Sequence, residues 1–370
     1  MDDTTRRAAP GPHHPDTGGV GMRALVTGAS GYVGSRLVAA LAHEGHTVLA
    51  ASRRPESLEP FDWPRDLVSP LALDVGDDDL CAQGLAEAGQ VDVAYYLVHA
   101  IGSGSFAEKD RESARRFGRT AKAAGVGRVV YLGGFVPDGE TLSEHLDSRA
   151  EVGEELQRSG CDVVWLKAAI VTGAGSTPYE LIRHLAERLP VIPVPAWMDH
   201  HVQPIAITDV IHYLLASADP DVVPAGAYDI AGEETVPYTR LIELYVEAAG
   251  LRRRLVRVPG VTPGMAAPAV ARLTPVPTAM MEDLVLSMSN SMQSGDDRIR
   301  ELVPDPEGGL VTVADSLARA RGDGGEAPGV YAATDLLAPV ATDPAWTRRE
   351  AGGITHQLSR VTSLRALLPG

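Results

Sequence analysis

Arg23-Ala24-Leu25-Val26-Thr27-Gly28-Ala29-Ser30-Gly31-Tyr32-Val33-Gly34 is the stretch from which the rest of the chain is read. Ala24, Leu25 and Val26 form an apolar run of β type, and glycines follow at 28, 31 and 34. Val33, Leu37, Val38 and Leu41 then recur at helical spacing, and Gly45 stands where a helix should end. One glycine makes the sharp strand-to-helix turn, another lets backbone N–H groups approach a pyrophosphate, and the last lets helix and sheet pack closely. The helix N-terminus adds partial positive charge. With a second strand over 47–51, these residues predict a dinucleotide-binding βαβ unit.

The alternation continues outward. Strands are predicted over 71–73, 91–98, 128–132 and 162–166, and helices over 77–88, 105–124 and 142–158. Such alternation implies an α/β fold, a doubly wound parallel sheet with helices on both faces. Ligands in such sheets lie beyond the carboxyl ends of the strands. The glycine loop, Arg53, Asp74, His99 and Gly133 should therefore meet at one crevice.

Beyond Leu166 glycine and proline become frequent, at Gly173, Gly175, Pro178, Pro190, Pro193 and Pro195. That change predicts a nucleotide domain over 22–172 and a smaller, mostly helical lobe over 173–321, with helices at 178–188, 208–218 and 237–250. Residues 260–281, apolar and proline-rich, read as a lid or pocket wall. Residues 1–21 read as a disordered tail, and 322–370 as an extension packed on the surface or partly disordered.

A formal net charge of −16 argues against a general nucleic-acid binder and gives no attraction to anionic membranes. No run approaches the roughly 20 apolar residues of a membrane span, so a cytoplasmic protein is expected. Cys81 and Cys161 make neither a disulfide framework nor a zinc site. Asp199-His200-His201 has no further ligand spacing, so no metal is expected. The lysines are Lys109, Lys122 and Lys167, which leaves few candidates for lysine-dependent chemistry.

Thr27–Gly34 resembles the TGxxGxxG loop of extended and atypical short-chain dehydrogenases/reductases. Leu166-Lys167-Ala168-Ala169-Ile170-Val171-Thr172-Gly173 is similar to that family's strand leaving the nucleotide lobe. Pro204-Ile205-Ala206-Ile207-Thr208-Asp209-Val210 is similar to its P-I-x-V-x-D-V segment, and Ala227-Tyr228-Asp229-Ile230-Ala231-Gly232 to its late edge strand. The resemblance covers residues 22–321 and is nearest to the atypical YbjT-type bacterial group, with NmrA-like regulators and an accessory subunit of respiratory complex I as distant relatives. It implies a nicotinamide cofactor contacted by Thr27, Gly28, Ser30, Gly31, Tyr32, Val33, Gly34, Arg53, Asp74, Val75, Val98, His99 and Gly133.

An acidic residue at the end of the second strand usually holds the ribose of NAD. Here that place reads Ser52-Arg53-Arg54, which suits the 2′-phosphate of NADP(H), with Arg36 adding to it; the alternative is solvated loop charge. NADP(H) is thus expected over NAD(H). Asp74 either lies beside the adenine or caps the next helix.

The family's Ser, Tyr and Lys are absent from their usual places. Gly133-Gly134 replaces the Ser, and His145 and Arg149 stand at the positions of Tyr-x-x-x-Lys, one helix face apart by four residues. His145 as acid, Arg149 holding substrate, and His99 as a second acid form the catalytic reading; exposed or half-buried polar residues are the bland one. Three functions stay open: a reductase of a carbonyl or quinone-like small molecule, an NADP(H)-binding sensor, and a structural subunit. Homo-oligomer and monomer both remain compatible with the sequence.

Overall fold

Strands with apolar side chains on both sides need a sheet that is covered on both faces. The computed structural model, which describes residues 21–99, 106–135, 144–322 and 335–347, has such a sheet at its centre. Its strands in chain order are β1 (Arg23–Thr27), β2 (Thr47–Ser52), β3 (Val68–Ala72), β4 (Val93–Tyr96), β5 (Arg128–Gly134) and β6 (Asp162–Ala168). Shorter pieces follow as β7 (Val171–Thr172), β8 (Val191–Pro195), β9 (His201–Val202) and β10 (Ile205–Ala206), then β11 (Gly226–Ile230), β12 (Val236–Pro237) and β13 (Arg254–Val258). The first four helices are α1 (Tyr32–His43), α2 (Asp78–Ala88), α3 (Phe106–Ala123) and α4 (Glu144–Arg158). They are followed by α5 (Thr177–Arg188), α6 (Ile207–Ala216), α7 (Tyr238–Ala248), α8 (Pro263–Leu273), α9 (Thr278–Ser287), α10 (Arg298–Leu302) and α11 (Val313–Arg319).

Seven strands make the central sheet, in the order β11-β6-β5-β4-β1-β2-β3 with all neighbours parallel. The doubly wound fold read from the sequence is present, including the late edge strand β11. The order reverses between β1 and β4, which is where a crevice opens in such sheets. Period-two alternation sorts the core: Ala24 and Val26 of β1 join the cluster under α1 and α6, while Leu25 joins the one under α2, α3 and α4.

Two placements differ from the sequence expectation. Helix α6, expected in the smaller lobe, packs its Val210, Ile211 and Leu214 with Leu37, Val38 and Leu41 of α1 on the sheet. Helical spacing reveals an apolar face but not which surface it will cover. In addition, residues 335–347 of the expected extension cross both lobes: Leu337 is fully buried in the sheet core and Trp346 packs against the second core. Residues 1–20, 323–334 and 348–370 lie outside the described residues.

The second lobe encloses its own core of Leu181, Ile182, Leu241, Tyr245 and Met281, contributed by α5, α7 and α9. The parallel β8–β13 pair and α8 complete it. The apolar, proline-rich stretch becomes α8 and α9, a helical hairpin on this core.

One hydroxyl fixes the floor of the crevice. Thr27 Oγ1 donates to the Tyr95 carbonyl at 3.0 Å and accepts from the Leu97 N–H at 3.1 Å, tying the ends of β1 and β4 together. Thr27→Val keeps the shape but strands both backbone groups, and should cost about 1–3 kcal/mol in urea denaturation. Asp209, from the P-I-x-V-x-D-V segment, is also structural: it is buried and accepts the Val311 N–H at 2.9 Å. Burial pushes its carboxyl up to about 6. Because an unfolded aspartate titrates near about 4, the native chain binds the extra proton in between, and this group's contribution to stability falls as pH rises through that window. Asp209→Asn should therefore gain roughly 2 kcal/mol on the wild type between about pH 4 and about pH 7 in paired urea titrations.

Candidate nucleotide-binding and active site

The glycine turn is dictated by backbone pressed against backbone. Gly28 has φ +68° and its carbonyl accepts the Gly31 N–H at 2.9 Å. A Cβ on Gly34 would lie 2.2 Å from the Gly28 carbonyl oxygen, and one on Gly28 would lie 2.8 Å from that of Leu97. Gly31, the residue before α1, offers no capping side chain, and the first turn of α1 holds no acidic residue. Its leading N–H groups and the positive end of the helix dipole are thus left for an anion. These residues fit the diphosphate of a dinucleotide.

The crevice beyond β1, β4 and β5 has a volume of about 500 Å³. Gly28, Gly31, Tyr32, Val33, Gly34, His99, Gly133 and Arg149 all line it, so the turn and two of the proposed catalytic side chains meet in one place. Other expected residues stand away from its wall. Thr27 is buried beneath it, Ser30 is exposed on the turn, and Val98 packs under Gly28 with Cγ2 3.6 Å from where a Gly28 Cβ would sit. Arg53 is exposed just past β2, and Asp74 and Val75 follow β3. Asp74 does not cap α2: Asp77 does so by accepting the Leu80 N–H at 3.0 Å, while Asp74 Oδ1 accepts from Gly76 N at 2.8 Å in a tight turn. His145 falls on α4, but its side chain lies outside the described residues.

Arg149 Nη1 lies 3.5 Å from His99 Nε2, at the limit of hydrogen-bond reach. Burial lowers the Arg149 pKa, opposed by Tyr131, Asp110 and Asp283; a guanidinium stays charged under such a shift. Among the described residues, Tyr32 is the tyrosine on this wall and no lysine reaches it. Burial raises the Tyr32 hydroxyl far above its ordinary range. Lys167 is paired with Asp229 at 2.7 Å on the neighbouring strand.

Arg36 does not serve the cofactor phosphate. It is 3% exposed and forms a two-pronged pair with Asp343, at 2.9 and 3.1 Å, while its remaining N–H groups reach the carbonyls of Leu336 and Ala174 at 3.0 and 2.9 Å. The guanidinium also stacks 4.3 Å above the Tyr32 ring. The pair fastens residues 335–347 across the mouth of the crevice, where Pro344 and Trp346 join its lining. The strap leans on the Gly173-Ala174-Gly175-Ser176 segment: a Cβ on Gly175, at φ +88°, would lie 2.8 Å from the Asp343 carboxyl. Nothing in the sequence marked Asp343 or Trp346. Of the α9 residues on this wall, Met280 falls in the stretch read as a lid or pocket wall, whereas Asp283 and Ser287 lie beyond it.

Residues 28–190 match a family model described as NAD(P)H-binding. The chain is 26% identical over 258 residues to ceramide reductase of Caulobacter vibrioides, covering 68% of this chain and 80% of that protein. It is 32% identical over 145 residues to a putative dihydroflavonol 4-reductase of Synechocystis, covering 34% of this chain and 38% of the relative. Among solved structures, a nucleoside-diphosphate-sugar epimerase of Staphylococcus aureus superposes with a TM-score of 0.61 at 18% identity, over 80% of this chain and 100% of that one. Bordetella bronchiseptica WbmH, solved with NAD+, gives 0.59 at 17% identity, over 81% and 97%. Residues 28–190 thus match an NAD(P)H-binding family model, and the chain shares the Rossmann fold of those solved structures. Among the described residues no helix is long and apolar enough to cross a membrane.

Asp343→Ala leaves the Arg36 charge buried without its partner and should destabilise the protein by about 3–5 kcal/mol in thermal and urea unfolding. The Arg36→Met/Asp343→Leu double variant, which removes both charges, should recover much of that loss.

Proposed function

We propose that this chain is an NADP(H)-dependent reductase of a carbonyl-bearing small molecule, working without the family's Ser-Tyr-Lys set. The observation that carries it is the Arg149–His99 pair, at 3.5 Å, on the wall of the same crevice as the glycine turn. The glycine turn holds the diphosphate. A nicotinamide bound there would supply the hydride for the carbonyl carbon; the C=O π pair would then move to oxygen and need a proton to complete the alcohol. Arg149 faces the place where that negative charge develops and stabilises it as a fixed cation in a partly dry site. His99, beside it, relays the proton from solvent. The bare backbone of Gly133 is set by packing, since a Cβ there would lie 2.6 Å from Trp165 Nε1. Both sequence relatives are named as reductases, which supports the same reaction class.

Arg53 supports NADP(H). It directly follows β2 with an exposed side chain, and Ser52 Oγ beside it is occupied by the Arg54 backbone at 3.1 and 3.2 Å. Arg53→Ala should weaken NADPH binding roughly 10-fold and leave NADH nearly unchanged, read by nucleotide fluorescence titration. Arg149→Met should lower kcat about 100- to 1000-fold with little effect on NADPH affinity.

A sensor that binds NADP(H) without turnover is the second reading, favoured by the lack of lysine on the crevice wall among the described residues. Loss of NADPH absorbance with a panel of aldehydes, ketones and quinones separates the two. Tight NADPH binding with no oxidation across the panel would overturn the reductase.

A further inference from the structure

The second lobe contains a cavity of about 300 Å³ that the cofactor does not need. Its wall is made of side chains such as Leu181, Ile182, Leu241, Val270 and Met288. Even the polar groups of that wall are turned to the protein: Trp197 Nε1 donates to the Val261 carbonyl at 3.0 Å, and the Tyr238 hydroxyl reaches the Asn290 carbonyl at 3.5 Å. A molecule with hydroxyls or phosphates would leave them unpaired inside, which is costly. An alkyl chain would not.

The cavity adjoins the crevice. Ile170, Pro178 and Leu284 line both, so what separates the two spaces is these side chains. Helix α9 is the shared partition, presenting Asp283 and Ser287 to the crevice and Val285 and Met288 to the cavity. At the far side, Met265 is 65% exposed and yet lines the cavity, which marks its opening to solvent. Unbranched methionines on the wall, Met198, Met265 and Met288, suit a guest of variable length.

We infer that the cavity takes the apolar tail of the substrate, and that the substrate is an alkyl-chain carbonyl compound whose reactive end reaches Arg149 in the crevice. The chemistry rests on the reductase reading above; the binding does not.

The test uses a homologous series of 2-alkanones from butanone to dodecanone, each below its solubility limit, with the full chain. Binding is followed by tryptophan fluorescence, with Trp197→Phe assigning the signal, and turnover by NADPH oxidation. Affinity and kcat/KM should each rise up to about fourfold per added methylene until the cavity is filled. Ala266→Phe and, independently, Val270→Trp should flatten that dependence while NADPH affinity stays at the wild-type value, which also shows that the variants fold. Chain-length-independent binding, or an unchanged slope in both plugged variants, overturns the proposal. Steep binding without NADPH oxidation keeps the pocket and removes the reductase; oxidation with no dependence on chain length does the reverse.

Discussion

Everything in this molecule is arranged around the contact of the first helix with the turn that precedes it. The Gly34 Cα sits so close to the Gly28 carbonyl that a single added carbon would come within 2.2 Å of that oxygen. The closeness aims the leading amides of α1 across the end of the sheet, beside the point where strand order reverses. From there the positions of His99, Gly133 and Arg149 follow, because β4 pairs with β1, β5 pairs with β4, and the Tyr131 hydroxyl of β5 donates to the Arg149 carbonyl of α4 at 3.0 Å.

A second constraint works from the other end of the chain. Arg36 sits on the buried side of α1, where a lone guanidinium would be intolerable, and Asp343 neutralises it while backbone carbonyls take up its remaining protons. That pair commits a segment some three hundred residues away to the wall of the crevice. It also explains the two glycines around Ala174, which stand where Tyr32 and Asp343 press on the main chain.

Local features were readable from the residues; distant pairings were not. The glycine spacing, the apolar strand runs and the helix signals report on neighbours within a few residues, so the parallel sheet and the crevice could be read directly, while the late edge strand was legible through the resemblance of residues 227–232 to a family segment. Arg36 was misread as a phosphate ligand because an arginine on a helix looks the same whether it meets a ligand or an aspartate from the far end of the chain. Asp74 and Asp77 are both plausible caps by spacing, and only the direction of the turn decides between them. The apolar cavity was foreshadowed by residues 260–281, yet its shape arises from how α5, α7, α8 and α9 lean on one another, which no single segment encodes.

The strap has one more effect. Leu337 is embedded in the sheet core and Trp346 is seated on the other core, with a buried ion pair between them in sequence. To widen the gap between the lobes, one of these three anchors has to be withdrawn. One short segment near residue 340 thus ties the cores of both lobes to the first helix and to the crevice wall.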